Sequence, residues 1–171
     1  AGVVVMISAL LLGALTLVRE RERGTWETLL VTPVRPGEAL IGKLAPYVLL
    51  AVLQAGVVVA AGHALFGVPL EGAVVLLLAA AALFAAAHLT LGFALSALAR
   101  TQVQAVQAAV LFYLPSMVLS GFMFPFEGMP GWAQAIGETL PLTHFVRAAR
   151  GVLLRGAGGA EIVAELWPVA A

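Results

Sequence analysis

Four stretches of this chain contain no Asp, Glu, Lys or Arg for eighteen residues or more: Ala1–Val18, Leu44–Phe66, Ala73–Leu98 and Ala105–Phe122. At a rise of about 1.5 Å per residue, about 20 residues carry a helix across the hydrocarbon core of a bilayer. The first and last runs just reach that length and the middle two exceed it. Inside hydrocarbon every backbone N–H and C=O must find a partner within the protein, which leaves helices or closed barrels. Barrel strands alternate apolar and polar residues, and these runs do not. The expectation is an all-α, polytopic helical membrane protein. A fifth apolar run, Ala160–Ala171, carries Glu161 and Glu165 and reaches the end of the sequence as a truncated span.

Composition agrees with lipid as the solvent. Of 171 residues 62% are hydrophobic and 11% charged, with a mean hydropathy of +1.05. A soluble domain of this size has too little interior to hide so much apolar surface. Formal net charge is zero, so nothing draws the chain as a whole to nucleic acid. Cysteine is absent, which excludes disulfides, thiolate metal sites and cysteine nucleophiles. Asp and Asn are absent too, so any carboxylate chemistry falls to the nine Glu. Ala1 opens directly on an uncharged run with the basic cluster behind it, the reverse of a signal peptide. Both ends read as cuts, and the sequence as a piece of a longer protein.

The connections differ in kind. Residues 19–43 are crowded with charge, Gly67–Gly72 and Ala99–Gln104 are short turns, and 123–159 is long and interrupted by Pro125, Pro130 and Pro141. The last segment also holds apolar patches at Trp132–Ile136 and Leu140–Val146, a pattern that fits short interfacial or re-entrant helices. Arg19, Arg21, Arg23, Arg35, Lys43 and Arg100 fall on one side of the four spans and Arg147, Arg150 and Arg155 on the other. The bias of Lys and Arg toward the cytoplasm puts 19–43 inside and 123–159 outside.

Residues 19–43 read RERERGTWETLLVTPVRPGEALIGK. Alternating Arg and Glu nearly cancel, so this is not simply a polybasic lipid-binding tail. Gly24 permits a bend, Thr25 can cap a helix, Trp26, Leu29 and Leu30 recur at helical spacing, and Pro33 ends the run. A short amphipathic helix follows. On the residues alone, a collar of snorkelling charge at a span's end fits equally well. Gly37 to Lys43 has the G-x-x-x-x-G-K spacing of a phosphate loop, but Leu44 stands where Ser or Thr must bind Mg²⁺, and no strand precedes it.

The run Arg19–Pro33, with Glu38 and Gly42-Lys43, resembles the cytoplasmic segment of type-2 ABC exporter permeases. A second block follows the same family's pattern in order: Pro115, Leu119–Phe122, Phe124-Pro125, Met129-Pro130, Gln134, Pro141–Thr143, Arg147, Arg150-Gly151 and Leu154. The resemblance implies a permease subunit of an ATP-binding cassette exporter in the plasma or inner membrane, paired with a second permease copy or homologue. It implies no catalysis and no cofactor in this chain, with ATP and Mg bound by a partner ABC ATPase. Glu20, Glu22, Arg23, Gly24, Thr25, Trp26, Glu27 and Leu30 would form the coupling element that docks on that ATPase. The spans Ala1–Val18 and Ala105–Phe122 would meet at the dimer interface and flank the transport path. Gln107, Tyr113, Pro115, Ser116 and Ser120 are the candidate path residues.

Each of these has a plainer reading. Pro115 removes one backbone donor and bends a span, and a Ser inside a span often bonds the carbonyl one turn back. His63 and His88 lie within spans, where ionisable groups invite a functional reading, but no carboxylate shares those spans, and packing is the simpler role. Arg147 and Arg150 are three apart on one helical face and suit lipid phosphate or an anionic substrate. The three His are far apart, with no His-Glu-x-x-His, and no Gly-x-Ser elbow precedes Ser116 or Ser120. An ion-driven secondary transporter would need charge buried at midplane, which these spans lack. A non-transporting scaffold, with 19–43 serving assembly alone, also remains compatible with the sequence.

Overall fold

The computed structural model describes residues 2–24, 36–67 and 74–155. Among these the chain forms α1 (Gly2–Glu22), α2 (Pro36–Phe66), α3 (Val74–Leu98), α4 (Gln102–Leu119), a 3₁₀ turn (Phe126–Gly128), α5 (Gly131–Glu138) and α6 (Pro141–Arg155), with no strand among the described residues. The first four helices are each long and apolar enough to cross a membrane. The truncated run at 160–171 and the amphipathic stretch from Thr25 lie outside the described residues.

α1 and α3 run parallel at the centre. Gly13 meets Leu89 and Gly92, Val18 meets Ser96, and Arg21 meets Ala97, so both sequences descend together. A Cβ added at Gly92 would lie 2.6 Å from the Leu10 carbonyl oxygen and 2.9 Å from Gly13 Cα. One added at Gly13 would lie 2.6 Å from the Leu89 carbonyl oxygen. The two backbones therefore touch. Between helices in lipid, hydrophobic driving force is absent, and close approach at small residues is the main source of association. Ala9, Ala14, Ala80, Ala81 and Ala85 continue this packing, with Val5, Met6, Leu10, Phe84 and Leu89 filling the space where the helices separate.

α2 and α4 run antiparallel to α1 on its flanks. Lys43 pairs with Glu20 toward one end of α2, and Gln54 Nε2 donates to Ser8 Oγ at 3.2 Å about three turns nearer the other. α2 buries little beyond Ala51 and Ala55, and turns Leu49, Leu50, Leu53 and Val57 outward. Such a face belongs to lipid rather than to the core. α4 is a single helix through Pro115, with Ala105, Ala109 and Ser116 toward α1.

At the opposite end from the charge cluster, the α5–α6 hairpin packs into the bundle. Leu142, Phe145, Ala148 and Val152 of α6 are buried, and the Phe145 ring stacks on Phe84 with centroids 4.5 Å apart, beside Gly2. The ten residues of α3 before Phe84 extend about 15 Å past this stack, so α6 sits within the depth of the bundle rather than across its end.

The Gly13–Gly92 contact yields a direct test. Gly92→Ala must separate two backbones, and overpacking of this kind costs about 1–3 kcal/mol. Gly56, also inside a helix, has only the Leu78 side chain at 3.8 Å from an added Cβ. Gly56→Ala should be neutral or slightly stabilising through helix propensity. Thermal unfolding in detergent should show a lower midpoint for Gly92→Ala and none for Gly56→Ala. Equal midpoints would show that the crossing is not closely packed.

Candidate coupling site at the charged end

α1 does not stop where charge begins. It continues without a break from the apolar run through Arg19, Glu20, Arg21 and Glu22. It ends at Gly24, whose φ of +70° is a left-handed conformation that glycine adopts without steric cost. The Arg23 amide donates to Arg19 O at 3.1 Å and the Gly24 amide to Arg21 O at 3.2 Å, closing the last turn.

This charged last turn is bonded to each of the other three long helices. Toward α2, Glu20 Oε2 and Lys43 Nζ lie 2.6 Å apart, with both side chains largely sheltered. Toward α3, Arg21 Nη1 donates to the Ala97 carbonyl oxygen at 3.2 Å, and one turn deeper the Val18 amide donates to the fully buried Ser96 Oγ at 3.0 Å. Ala97 is at the C-terminal end of its helix, where the last carbonyls have no partner within the helix and attract cations. Toward α4, Glu22 Oε1 accepts the Gln102 amide at 2.9 Å, and Glu22 Oε2 accepts from the Gln102 side-chain amide.

The start of α4 explains why that contact forms. Its first amides lack partners within the helix. Thr101 Oγ1 accepts from the Gln104 amide at 3.3 Å, and Gln104 Oε1 in turn accepts from the Arg100 amide at 3.0 Å. This is close to a capping box, with Thr and Gln three residues apart. The Gln102 amide remains, and it points at Glu22. A carboxylate at a helix N-terminus is further favoured by the helix dipole. The end of α1 thus completes the cap of α4.

Of the residues expected to couple to an ATPase, Glu20, Glu22, Arg23 and Gly24 are therefore on or immediately after the last turn of α1. Thr25, Trp26, Glu27 and Leu30 lie outside the described residues. Lys43, Ser96, Ala97 and Gln102 hold this end in place; Lys43 stood out in the sequence as part of the resemblance but not as a partner of Glu20, and the other three were not singled out. The spacing Thr101-x-x-Gln104 was a readable capping signal, whereas nothing in the sequence marks Ser96 as a partner of Val18.

The candidate path residues on α4 divide between two faces. Gln107 and Pro115 are exposed on the outward face, with Val103, Leu111, Leu114 and Val118. Ser116 and Ser120 are buried, and their hydroxyls bond locally, to Phe112 O at 2.7 Å and Met117 O at 3.2 Å. Tyr113 is half-buried, with its hydroxyl 3.2 Å from Met117 Sδ. His88 is buried against Phe84 and near Phe112, with Nδ1 2.9 Å from Phe84 O and no hydrogen-bond partner for Nε2. His144 Nε2 lies 2.8 Å from Glu138 O.

Four long apolar helices, two of them a close-packed central pair, joined by polar bonds at the charged end, define a polytopic α-helical membrane protein. The chain belongs to the ABC-2 type transporter family, whose model it matches over residues 1–154. It is 30% identical over 168 residues to a protein named probable multidrug ABC transporter permease YbhR of Escherichia coli (strain K12), covering 98% of this chain and 46% of that one. It is 38% identical over 166 residues to the inner membrane transport permease YhhJ of the same organism, covering 96% of this chain and 43% of that one. A third relative is ABC transporter G family member 20 of Dictyostelium discoideum, 28% identical over 160 residues, covering 92% of this chain and 22% of that one. The chain thus spans less than half the length of these relatives. No solved structure matches it.

The Glu20–Lys43 pair can be measured by charge reversal. Lys43→Glu should destabilise the bundle, and Glu20→Lys combined with Lys43→Glu should recover part of the loss. Because the pair is partly exposed, a coupling of no more than about 1 kcal/mol is expected in a double-mutant cycle read by detergent unfolding. Additive effects would show that the ion pair contributes nothing.

Proposed function

We propose that this chain is the membrane part of a permease subunit of an ATP-binding cassette exporter, driven by a separate ATPase. The charged end faces the cytoplasm, and the α5–α6 hairpin enters the membrane from the opposite side. The ATPase docks on the segment that begins at Glu20 and runs through Leu30. Two copies of the subunit, or this one and a homologue, meet along α1 and α4, and substrate passes between them along the face of α4 that exposes Gln107 and Pro115, with Tyr113 beside it and Ser116 and Ser120 behind it. Family membership and the printed names of the relatives support this reading.

The observation that carries the mechanism is the bonding of Glu22 to the start of α4. Closure of two ATPase domains around ATP would displace the docked segment. Residues 20–22, the first of that segment, are the last turn of α1, so a displacement that reaches them passes into the bilayer along one continuous helix. Through Glu22 the same displacement reaches the first turn of α4, the other helix placed beside the path. Glu20 and Arg21 carry it to α2 and α3. A motion delivered at one helix end is thereby shared by all four.

Coupling should then be separable from folding. Glu22→Lys replaces an acceptor with a cation at the positive end of α4, which the helix dipole disfavours. Gly24→Pro forces φ near −65° where +70° is observed. In proteoliposomes holding the full-length parent protein and its ATPase, either substitution should reduce ATP-dependent substrate movement at least tenfold. Membrane insertion and the detergent melting profile should be largely retained. Transport at the wild-type rate by both variants would remove the coupling assignment. ATP-independent transport driven by an ion gradient would replace the exporter reading with that of a secondary transporter.

A further inference from the structure

A cleft of about 510 Å³ opens at the end of the bundle opposite the coupling site, between the Ser120–Glu127 segment and α6. Its charged lining consists of Arg147, Arg150 and Glu127. The two arginines are one turn apart on α6 and face the same space. Arg147 is held in position: its guanidinium lies over the Phe126 ring, 4.8 Å from the centroid, and 4.0 Å from Glu138 Oε1. Phe126 is itself fixed. Gln134 Nε2 donates to Phe126 O at 3.1 Å and Met129 O at 3.0 Å, and Gly137 has no room for a Cβ, which would lie 2.7 Å from the Phe126 ring. Gly121, at φ +76°, turns the chain from α4 into the cleft wall.

We propose that this cleft binds the headgroup of a phospholipid, with the phosphodiester on Arg147 and Arg150 and an amine on Glu127. Two guanidinium groups present paired N–H donors that match phosphate oxygens. A carboxylate in the same cleft opposes a purely anionic ligand and suits one that also carries an ammonium group. The surroundings favour a lipid over a soluble ester. Phe122, Met123 and Phe124, which connect the lining residues Gly121 and Pro125, are exposed, as is Trp132 on α5. Aromatic residues of this kind gather at the headgroup level of a bilayer. The hairpin also lies within the depth of the bundle, as the Phe84–Phe145 stack shows.

The site is independent of the coupling assignment and can be tested without transport. The full-length parent protein, delipidated in detergent, would be titrated with dioleoyl phosphatidylethanolamine, dioleoyl phosphatidylglycerol or dioleoylglycerol, and bound lipid read by native mass spectrometry. Wild type should retain phosphatidylethanolamine at least fivefold more strongly than dioleoylglycerol. Arg147→Gln with Arg150→Gln should abolish that preference, while the melting midpoint monitors folding. Glu127→Gln, on an exposed residue, should weaken phosphatidylethanolamine relative to phosphatidylglycerol and thus reports the amine contact separately. Retention of the preference by the double arginine variant would overturn the site. Binding of soluble O-phosphoethanolamine as tightly as the lipid would overturn the lipid source and leave a site for free phosphate esters.

Discussion

The contact between Gly13 and Gly92 is the constraint on which the other placements depend. With backbones touching there, α1 and α3 form a parallel pair, and parallel neighbours in a chain require an intervening crossing. α2 supplies it and takes an outer position with most of its surface toward lipid. α4 then returns antiparallel against the remaining side of α1, and α6 closes the upper half of α3. A larger side chain at either glycine would separate the pair, and the register linking Val18 to Ser96 and Arg21 to Ala97 would be lost with it.

Two kinds of force hold the bundle, divided by depth. Near the crossing the contacts are van der Waals packing between small residues, as expected where lipid tails compete equally for apolar surface. At the charged end they are directional hydrogen bonds and an ion pair, two of the bonds reaching backbone groups at helix termini, the Ala97 carbonyl and the Gln102 amide, that have no partner within their own helices. The Ser8–Gln54 bond is an interhelical polar contact within the apolar depth. A packed crossing restricts separation of α1 and α3 but is compatible with small changes of angle. The bonded end fixes which helices share such a change.

The sequence made the broad architecture legible because lipid imposes a simple rule: uncharged runs of sufficient length become helices. It was less informative about where a helix ends. The charge at Arg19 marks the edge of the apolar run, yet the helix persists to Glu22, since Arg and Glu are good helix formers and Gly24 supplies the stop. Likewise α2 begins at Pro36, before the apolar run, with Pro at a helix start where its missing N–H has no consequence. The chemistry of Ser116 and Ser120 was readable as two alternatives, and burial with local carbonyl bonds is the geometry observed. Gly13 and Gly92 were hidden among eighteen glycines, because a close approach depends on two positions far apart in sequence. Thr25, Trp26, Glu27 and Leu30 lie outside the described residues, so the docking half of the coupling segment rests on the resemblance and on family membership.

The placement of Glu22 joins these strands. A carboxylate in an Arg-Glu repeat reads naturally as charge compensation, and alternation along RERER makes its neighbours seem its partners. Successive residues on a helix, however, point about 100° apart. Glu20 therefore reaches α2 and Arg21 reaches α3, while Glu22 reaches α4. The repeat works as a radial fan rather than a neutral patch. One helix turn can address three surrounding helices only if adjacent residues carry groups suited to different partners: a carboxylate for Lys43, a cation for the carbonyl end of α3, a carboxylate for the amide end of α4. The sign of charge at these positions thus follows from what each neighbour presents: the ammonium of Lys43 inside α2, the carbonyl end of α3 and the amide end of α4.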